Sequence, residues 1–473
     1  MPLCVDMDGT LVRTDLLWES VAQAARRRPL GLAAAATRLF AGRAAFKRAV
    51  ADVAMPGADA LPYREELITR IKEARAAGRR TVLATASERR LGEAVAQHLG
   101  CFDEVVATDG DSNLKGAAKA AELARRFPDG FAYVGDSRAD RPVWDAAAER
   151  WVVGRSRAAW LERSGITPDE VFEDRGSRSR PAAVLKAVRP HQWAKNGLVA
   201  VPFLASHGLA DLGSIIALAV CFLMFCCLAS AGYVVNDVLD LESDRRHPTK
   251  RRRPFAAGDL SIPASVVLVG ALLALGLGAA AFFLPWRALV VGLVYLVATL
   301  TYSLVLKRLL LIDAIVLAGL YVVRIVGGGA AGGIELSFWL LAFGLALFAS
   351  LAFAKRYAEL QAARREGRER NADRGYRDED LTMLSSLGPA CGVGAVLLLG
   401  LYVHGSTDAE ELYPTPQFLW LACPILLYWV SRVWFVAGRG HLDEDPVVWA
   451  FKDRPSLYCG GLVLVCFVLG SLG

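Results

Sequence analysis

At 473 residues, 54% of them hydrophobic and 22% charged, the chain exceeds one ordinary domain of roughly 150 residues and must keep its apolar and charged residues in separate stretches. A uniformly soluble protein, a disordered chain, a collagen and a small disulfide scaffold are thereby excluded, the last because nine cysteines are thinly spread and form no CxxC pair. The net charge of +6 is too small a surplus to imply a nucleic-acid partner.

The amino terminus reaches Asp6 after one short apolar run, without the basic region, long apolar core and cleavage site of a secretory signal. Up to about residue 180, brief β-rich runs such as 81–84 and 131–134 alternate with charged, Ala/Arg/Glu-rich helical stretches. That alternation predicts a doubly wound α/β domain with a parallel sheet over residues 1–155. Four clusters occur in it, in order: Asp6-Met-Asp-Gly-Thr10 after the first strand, Thr85 at the end of TVLAT, Lys115 in NLKG, and Gly135-Asp-Ser-Arg-Ala-Asp140 after FAYV.

Phosphate monoesters hydrolyse extremely slowly, so a site that cleaves them needs an in-line nucleophile, an acid for the leaving oxygen and concentrated positive charge. Asp6 suits the nucleophile, and Asp8, two residues on, suits the acid that later activates water. Asp136, with Asp140 behind it, can hold magnesium beside Asp6 and Asp8, because hard oxygen ligands suit that ion. Thr85 and Lys115 can bind the phosphoryl oxygens. Together the four clusters resemble the haloacid dehalogenase superfamily of phosphatases. The resemblance implies an aspartyl-phosphate route on Asp6, with helical residues of about 16–75 forming a cap that selects the substrate. A P-type ion pump is set aside, because the aspartate-bearing domain precedes every apolar span and no DKTGT is present.

Residues 156–188, rich in Arg, Ser and Asp, are expected to be a linker. Beyond them, over 189–473, apolar stretches at about 197–210, 213–236, 262–283, 286–305, 309–327, 336–354, 382–404, 416–437 and 455–472 predict nine transmembrane helices, the first short and carrying Pro202. Cations concentrate in alternate loops: six between 237 and 261 and eight between 355 and 381, against Arg287 alone near 284–287. The positive-inside rule puts those loops and the α/β domain in the cytosol, and an odd count leaves the carboxyl terminus outside.

At the end of the second apolar stretch stands Asn236-Asp-Val-Leu-Asp240-Leu-Glu-Ser-Asp244. On a helix Asp237, Asp240 and Asp244 share one face, and Asn236 lies one turn before Asp240. Carboxylates beside hydrocarbon need cations, and magnesium bridging to a diphosphate meets that need. Arg245 through Arg253 follow at once, with Lys250 and Arg253 available to bind further phosphate. Lys195, Lys307, Arg308, Lys355 and Arg356 all fall at cytosolic span ends and extend the cationic set. Arg324 sits deeper and needs a partner, for which Asp313 is the candidate.

NDxxDxxxD at the cytosolic end of the second span resembles the first aspartate-rich motif of the UbiA superfamily of intramembrane prenyltransferases. The second motif, commonly DxxxD, is reduced here to Asp313, with Leu at 317. The stretches RPHQWAKN, HPTKRRRP, YSLVLKR and KRYAEL are similar to one branch, the decaprenyl-phosphate phosphoribosyltransferases of arabinan precursor synthesis. That resemblance implies an integral cytoplasmic-membrane enzyme, with magnesium in both domains. Its substrates would be phosphoribosyl pyrophosphate and a polyprenyl, decaprenyl-like phosphate held in membrane lipid, and a homo-oligomer is possible. The fused phosphatase would then remove the 5-phosphate to give polyprenyl phosphoryl ribose. Two other readings are a prenyltransferase for an aromatic or haem acceptor with an accessory phosphatase, and a non-enzymatic lipid or metabolite carrier.

Overall fold

The computed structural model describes residues 1–473 except 109–113, 174–178, 207–210, 366–374, 406–411, 443–444 and 473, so part of the 355–381 loop used in the charge argument and the end of the first apolar stretch lie outside the described residues. Two compact units form, Met1–Val188 with Tyr233–Val269, and Arg189–Gly232 with Gly270–Gly473.

In the first unit, β1 (Leu3–Val5), β2 (Thr81–Glu88), β3 (Glu104–Thr108), β4 (Ala132–Gly135), β5 (Glu149–Val153) and β6 (Glu170–Phe172) make one sheet in the order β3-β2-β1-β4-β5-β6. All strand pairs are parallel. Strands β1 and β4 are buried throughout, as parallel strands covered on both faces must be. Because Val5 pairs with Leu83 on one side and Val134 on the other, Asp6, Thr85 and Asp136 emerge from neighbouring strands at the same edge. The strand order reverses at β1, the place where open α/β sheets bind ligands.

Helices α1 (Leu16–Arg27), α2 (Pro29–Ala36) and α3 (Arg43–Val53) follow β1 and pack on one another, within the stretch expected to form the cap. Asp15 starts α1 by accepting from the amides of Leu17 and Trp18. The cap is smaller than expected: α4 (Glu65–Ala76) buries Leu67, Ile68 and Ile71 against Leu3 and Val5, and so belongs to the sheet layer. Then come α5 (Arg89–Leu99), α6 (Ala117–Arg126), α7 (Arg141–Ala146), α8 (Arg155–Arg163) and α9 (Arg180–Val188). The expected linker is also corrected. Residues 170–172 form β6, with Val152 opposite Val171 and the rings of Trp151 and Phe172 5.8 Å apart. A three-residue strand among charged neighbours carries too little periodicity to be seen in sequence.

The membrane-spanning helices include α11 (Leu212–Leu239), which follows α10 (Val201–Ala205). Beyond α11 lie α12 (Leu241–Arg246), α13 (Ile262–Phe283), α14 (Trp286–Leu304), α15 (Ile312–Gly332), α16 (Phe338–Arg365) and α17 (Leu381–Gly405), then Ala422–Gly438, Pro446–Lys452 and Arg454–Ser471. Among the described residues eight helices are long and apolar enough to cross a membrane, one fewer than expected. The missing one is the first apolar stretch, where an 11-residue 3₁₀ segment, Pro190–Ala200, runs into the 5-residue α10. At about 2.0 Å per 3₁₀ residue and 1.5 Å per α residue this segment reaches roughly 30 Å, a bilayer core's depth. It lies along α15 in the same direction, Asn196 bonded to Arg324 and Val199 against Gly328, where a Cβ would sit 2.1 Å from the Val199 carbonyl.

Candidate active sites

Asp6, at the end of β1, is buried, and the Lys119 ammonium lies 2.7 Å from its Oδ1. Lys119 also donates to the Tyr133 hydroxyl at 3.1 Å, and Tyr133 donates to Asp140 Oδ1 at 3.0 Å. Asp140 Oδ2 accepts from the Ser137 amide, and Asp136 Oδ1 accepts from Thr10 Oγ1 at 3.0 Å. Oxygens of Asp6, Asp136 and Asp140 all lie within 4.8 Å of one another. The turn between Asp8 and Thr10 requires glycine: Gly9 has φ +79, and a Cβ on it would lie 2.5 Å from Asp136 Oδ2.

Burial, with Asp140 and Asp136 adding to it and Lys119 opposing, pushes the Asp6 carboxyl up to about 8. Burial and Asp140 push Asp136 up to about 6. Three crowded carboxyls balanced by one lysine, offering only hard oxygen donors, fit a divalent ion such as magnesium.

Asp8 faces elsewhere. Its Oδ2 accepts from Ser87 Oγ at 2.6 Å and lies 3.5 Å from Thr85 Oγ1, while its Oδ1 accepts from the Leu16 amide at 2.8 Å, in the first turn of α1. Thr85 Oγ1 accepts from the Ser87 amide. The structure therefore gathers Asp6, Asp136 and Asp140 in one group, and Asp8, Thr85 and Ser87 in another. The lysine it brings to Asp6 is Lys119, which sequence reasoning missed; Lys115 is exposed. The available signal was the buried stripe of α6, Lys119, Ala120 and Leu123, on which Lys119 stands.

The aspartate-rich stretch is not one continuous helix. It breaks at Asp240, which sits between α11 and α12 with φ −98 and ψ 13. Buried Asp237 and Asp244 come together on Arg253 Nη1, at 3.1 and 2.7 Å. Asp240 leaves that face and pairs with Arg26 of α1 at 3.2 Å. Burial raises the Asp244 carboxyl, with Arg253 opposing. Around this loop α1 makes further bonds. Glu19 takes a two-pronged pair from Arg245 at 3.0 and 2.6 Å, Glu242 accepts from Gln23 and Arg27 at 2.8 Å each, and Arg26 reaches the Leu239 carbonyl at 3.3 Å. Asn236 is half-buried and Lys250 exposed.

In the second unit Lys195 and Lys355 close on one oxygen of buried Asp445, at 2.9 and 2.8 Å, and Tyr321 donates to the other at 2.9 Å. Asp313, fully buried, is held by Arg356 Nε at 2.6 Å and by the Tyr376 hydroxyl at 2.6 Å. Arg356 also donates to the Tyr302 hydroxyl at 3.0 Å and pairs with Glu359. The expected pairing of Arg324 with Asp313 is not formed. Eleven residues on one helix rise about 16 Å, and Arg324 instead donates to Asn196 Oδ1 at 2.8 Å and to Tyr295 at 2.7 Å. Lys307 is half-buried and Arg308 exposed. Asp445, Tyr321, Asn196 and Tyr295 were not foreseen as partners, because their separation in sequence leaves no local pattern.

Residues 197–451 match the UbiA prenyltransferase family, and residues 3–145 match the haloacid dehalogenase-like hydrolases. An uncharacterized protein of Sinorhizobium fredii, y4nM, is 35% identical over 99% of this chain and 91% of its own length. A decaprenyl-phosphate phosphoribosyltransferase of Mycobacterium tuberculosis is 41% identical over 58% of this chain and 89% of that protein. The structure of a UbiA homologue from Archaeoglobus fulgidus bound to GPP and Mg2+ is 16% identical, with a TM-score of 0.47 over 60% of this chain and 99% of its own.

Proposed function

Because the chain belongs to the UbiA prenyltransferase family and carries a haloacid dehalogenase-like hydrolase domain ahead of that part, we propose that it makes polyprenyl phosphoryl ribose in two steps. The membrane domain transfers 5-phosphoribose from phosphoribosyl pyrophosphate to a polyprenyl phosphate, and the α/β domain removes the 5-phosphate. The reading rests on the state of Asp313: the single carboxylate left of a second aspartate motif is already taken by Arg356 and Tyr376. A site with one acidic motif and many cations suits two phosphate-bearing substrates better than a prenyl diphosphate and an aromatic ring. The 41% identity with a decaprenyl-phosphate phosphoribosyltransferase supports the same choice.

In the transfer, the bond from the anomeric carbon to pyrophosphate breaks as an oxygen of the lipid phosphate bonds to that carbon. Asp237 and Asp244 would hold magnesium, with Arg253 between them. In the second unit, taken by itself, Lys195, Lys355 and Arg356 are assigned to binding phosphate groups. In the hydrolysis Asp6 attacks the phosphorus and carries the phosphoryl group as an acyl phosphate. Asp8 gives a proton to the departing ribose oxygen and afterwards takes one from the water that frees phosphate. Lys119, paired with Asp6, holds the charge that grows on the phosphoryl oxygens, and Thr85 and Ser87 add hydroxyl donors from the group of Asp8. Magnesium on Asp6, Asp136 and Asp140 would withdraw charge from the transferring group, and magnesium at the membrane site would do the same for pyrophosphate. The cation-rich loops and the α/β domain are assigned to the cytosol, and the carboxyl terminus to the outside.

Incubating the purified protein with phosphoribosyl pyrophosphate and decaprenyl phosphate, and following lipid products by mass spectrometry, tests both steps. Asp6→Asn is expected to accumulate the 5-phosphorylated lipid. If this variant yields the dephosphorylated lipid as fast as the parent, the phosphatase assignment falls. Should pyrophosphate release not depend on the lipid phosphate, the transferase assignment falls instead.

A further inference from the structure

The cap has an unusual surface. From Ser20 to Ala51 the sequence contains seven Lys and Arg and no Asp or Glu. Within that run lies the apolar stretch Pro29–Ala41, whose largest side chains point into solvent: Leu30 is 86% exposed, Leu39 52% and Phe40 97%. Of the residues of α2 only Ala35 is buried. Arg28, Arg38 and Arg48 are exposed around it. A largely apolar groove lined by Ala35, Phe40, Ala49 and Val53, with Arg38 and Asp52 as its charged residues, opens on the same tip. Leucine and phenylalanine standing in water beside exposed Arg28, Arg38 and Arg48, with Asp52 at the groove already paired to Arg90, are the composition of an element that lies in an anionic membrane interface.

The connection to the membrane is also in the first unit. Arg26, in the last turn of α1, bonds to the carbonyl of Leu239, the final residue of a membrane-length helix, and to Asp240 beyond it. Pro29, which opens the apolar stretch, follows Arg26 by three residues. The cap tip is thus tied within one helical turn of its own sequence to the end of a spanning helix.

We infer that the cap tip Pro29–Ala41 docks into the anionic surface of the bilayer, with Leu30, Leu39 and Phe40 in the apolar phase and the surrounding arginines on lipid phosphates. Docking holds the cap where a phosphate ester carried on a lipid arrives, which deepens the phosphatase assignment above and, for the substrate class alone, rests on it.

The test uses the full-length protein in nanodiscs. A Phe40→Cys variant labelled with an environment-sensitive fluorophore is compared with the identically treated parent, which reports any background from the native cysteines. With phosphatidylglycerol present, the label's emission is expected to shift to the blue and to be quenched by spin-labelled lipid. In pure phosphatidylcholine, or with Arg28→Glu and Arg38→Glu added, that quenching is expected to fall. A label quenched only by aqueous iodide in every lipid overturns the inference, whatever the activities are. In parallel, Phe40→Asp is expected to raise KM for a lipid-linked phosphate ester about tenfold, the effect of one aromatic lost from an apolar phase, with hydrolysis of a soluble aryl phosphate unchanged. A label in lipid with no change in that KM upholds the docking and removes the lipid-ester reading of the phosphatase.

Discussion

Lys115 precedes α6, on the far side of Gly116 with its positive φ of +57, whereas Lys119 lies inside the helix. Lys119 stands on the buried stripe of α6 and contacts Asp6 at 2.7 Å, whereas Lys115 is exposed. Among the described residues Lys119 is the lysine paired with Asp6 and Asp140, so Lys119→Met is expected to lower phosphatase kcat by about 10²-fold, in the range of one lost charge-stabilising group. Lys115→Met is expected to change it less than about twofold. Steady-state hydrolysis of a soluble aryl phosphate by the two variants checks both. The sequence made the four clusters and their order readable, because chemistry constrains residue type at strand ends. It did not make readable which of two neighbouring lysines is buried, since that depends on where α6 begins and on how its stripe of Lys119, Ala120 and Leu123 packs against the sheet.

The same lesson holds at the aspartate-rich loop. Spacing alone put three carboxylates on one face, but the helix ends at Leu239, so Asp240 turns to Arg26 while Asp237 and Asp244 stay together. Asp237→Asn is therefore expected to cost the transferase at least about 10²-fold in kcat, and Asp240→Asn roughly tenfold or less through a disturbed loop. Pyrophosphate release measured under saturating substrates separates them. Comparable losses in both would mean that Asp240 turns back towards its neighbours during the reaction.

Among the elements, α1 carries the most relationships. Its buried Glu19 pairs with Arg245, whose side chain is 8% exposed, and breaking such a pair leaves an uncompensated charge that costs about 3–5 kcal/mol. Glu19→Gln is expected to speed amide hydrogen exchange across residues 240–253 while leaving β1 and β4 protected. Hydrogen exchange with mass spectrometry reads this directly, and unchanged exchange in the loop would show that α1 does not hold it. Elements were legible in proportion to their length. The eight long apolar helices declare themselves through twenty or so residues of hydrophobicity each, whereas β6 spans three residues and the segment 190–200 is 3₁₀. The cap was overestimated because α4 is helical like the rest, and only its packing on Leu3 and Val5 assigns it to the sheet.

At the scale of the whole molecule, both halves declare their families in sequence, yet the boundary between them does not follow the chain. Residues 233–269, which end one spanning helix and begin the next, pack with Met1–Val188 rather than with the flanking helices. No local pattern could reveal this, since it depends on contacts between residues such as Glu19 and Arg245, 226 positions apart. The two acidic clusters are also far apart in sequence, but both present only carboxylate oxygens. Chelation with EDTA is accordingly expected to abolish lipid phosphoribosylation and aryl phosphate hydrolysis together, and added magnesium to restore both. Retention of either activity under exhaustive chelation would exclude a metal from that site.

One helix touches both the group of Asp8 and the aspartate-rich loop of the first unit. The Leu16 amide at the start of α1 grips Asp8, and Glu19, Gln23, Arg26 and Arg27 along its length grip the loop of Asp240 to Arg245. Twelve helical residues make a strut of about 18 Å. A strut fixes separation, so lengthening α1 by one residue would rotate its far end by about 100° and throw every one of those loop contacts out of phase, whereas adding a full heptad would nearly restore the phase but not the reach. Any replacement of α1 thus has a gauge to meet, set by the pitch of a single helix.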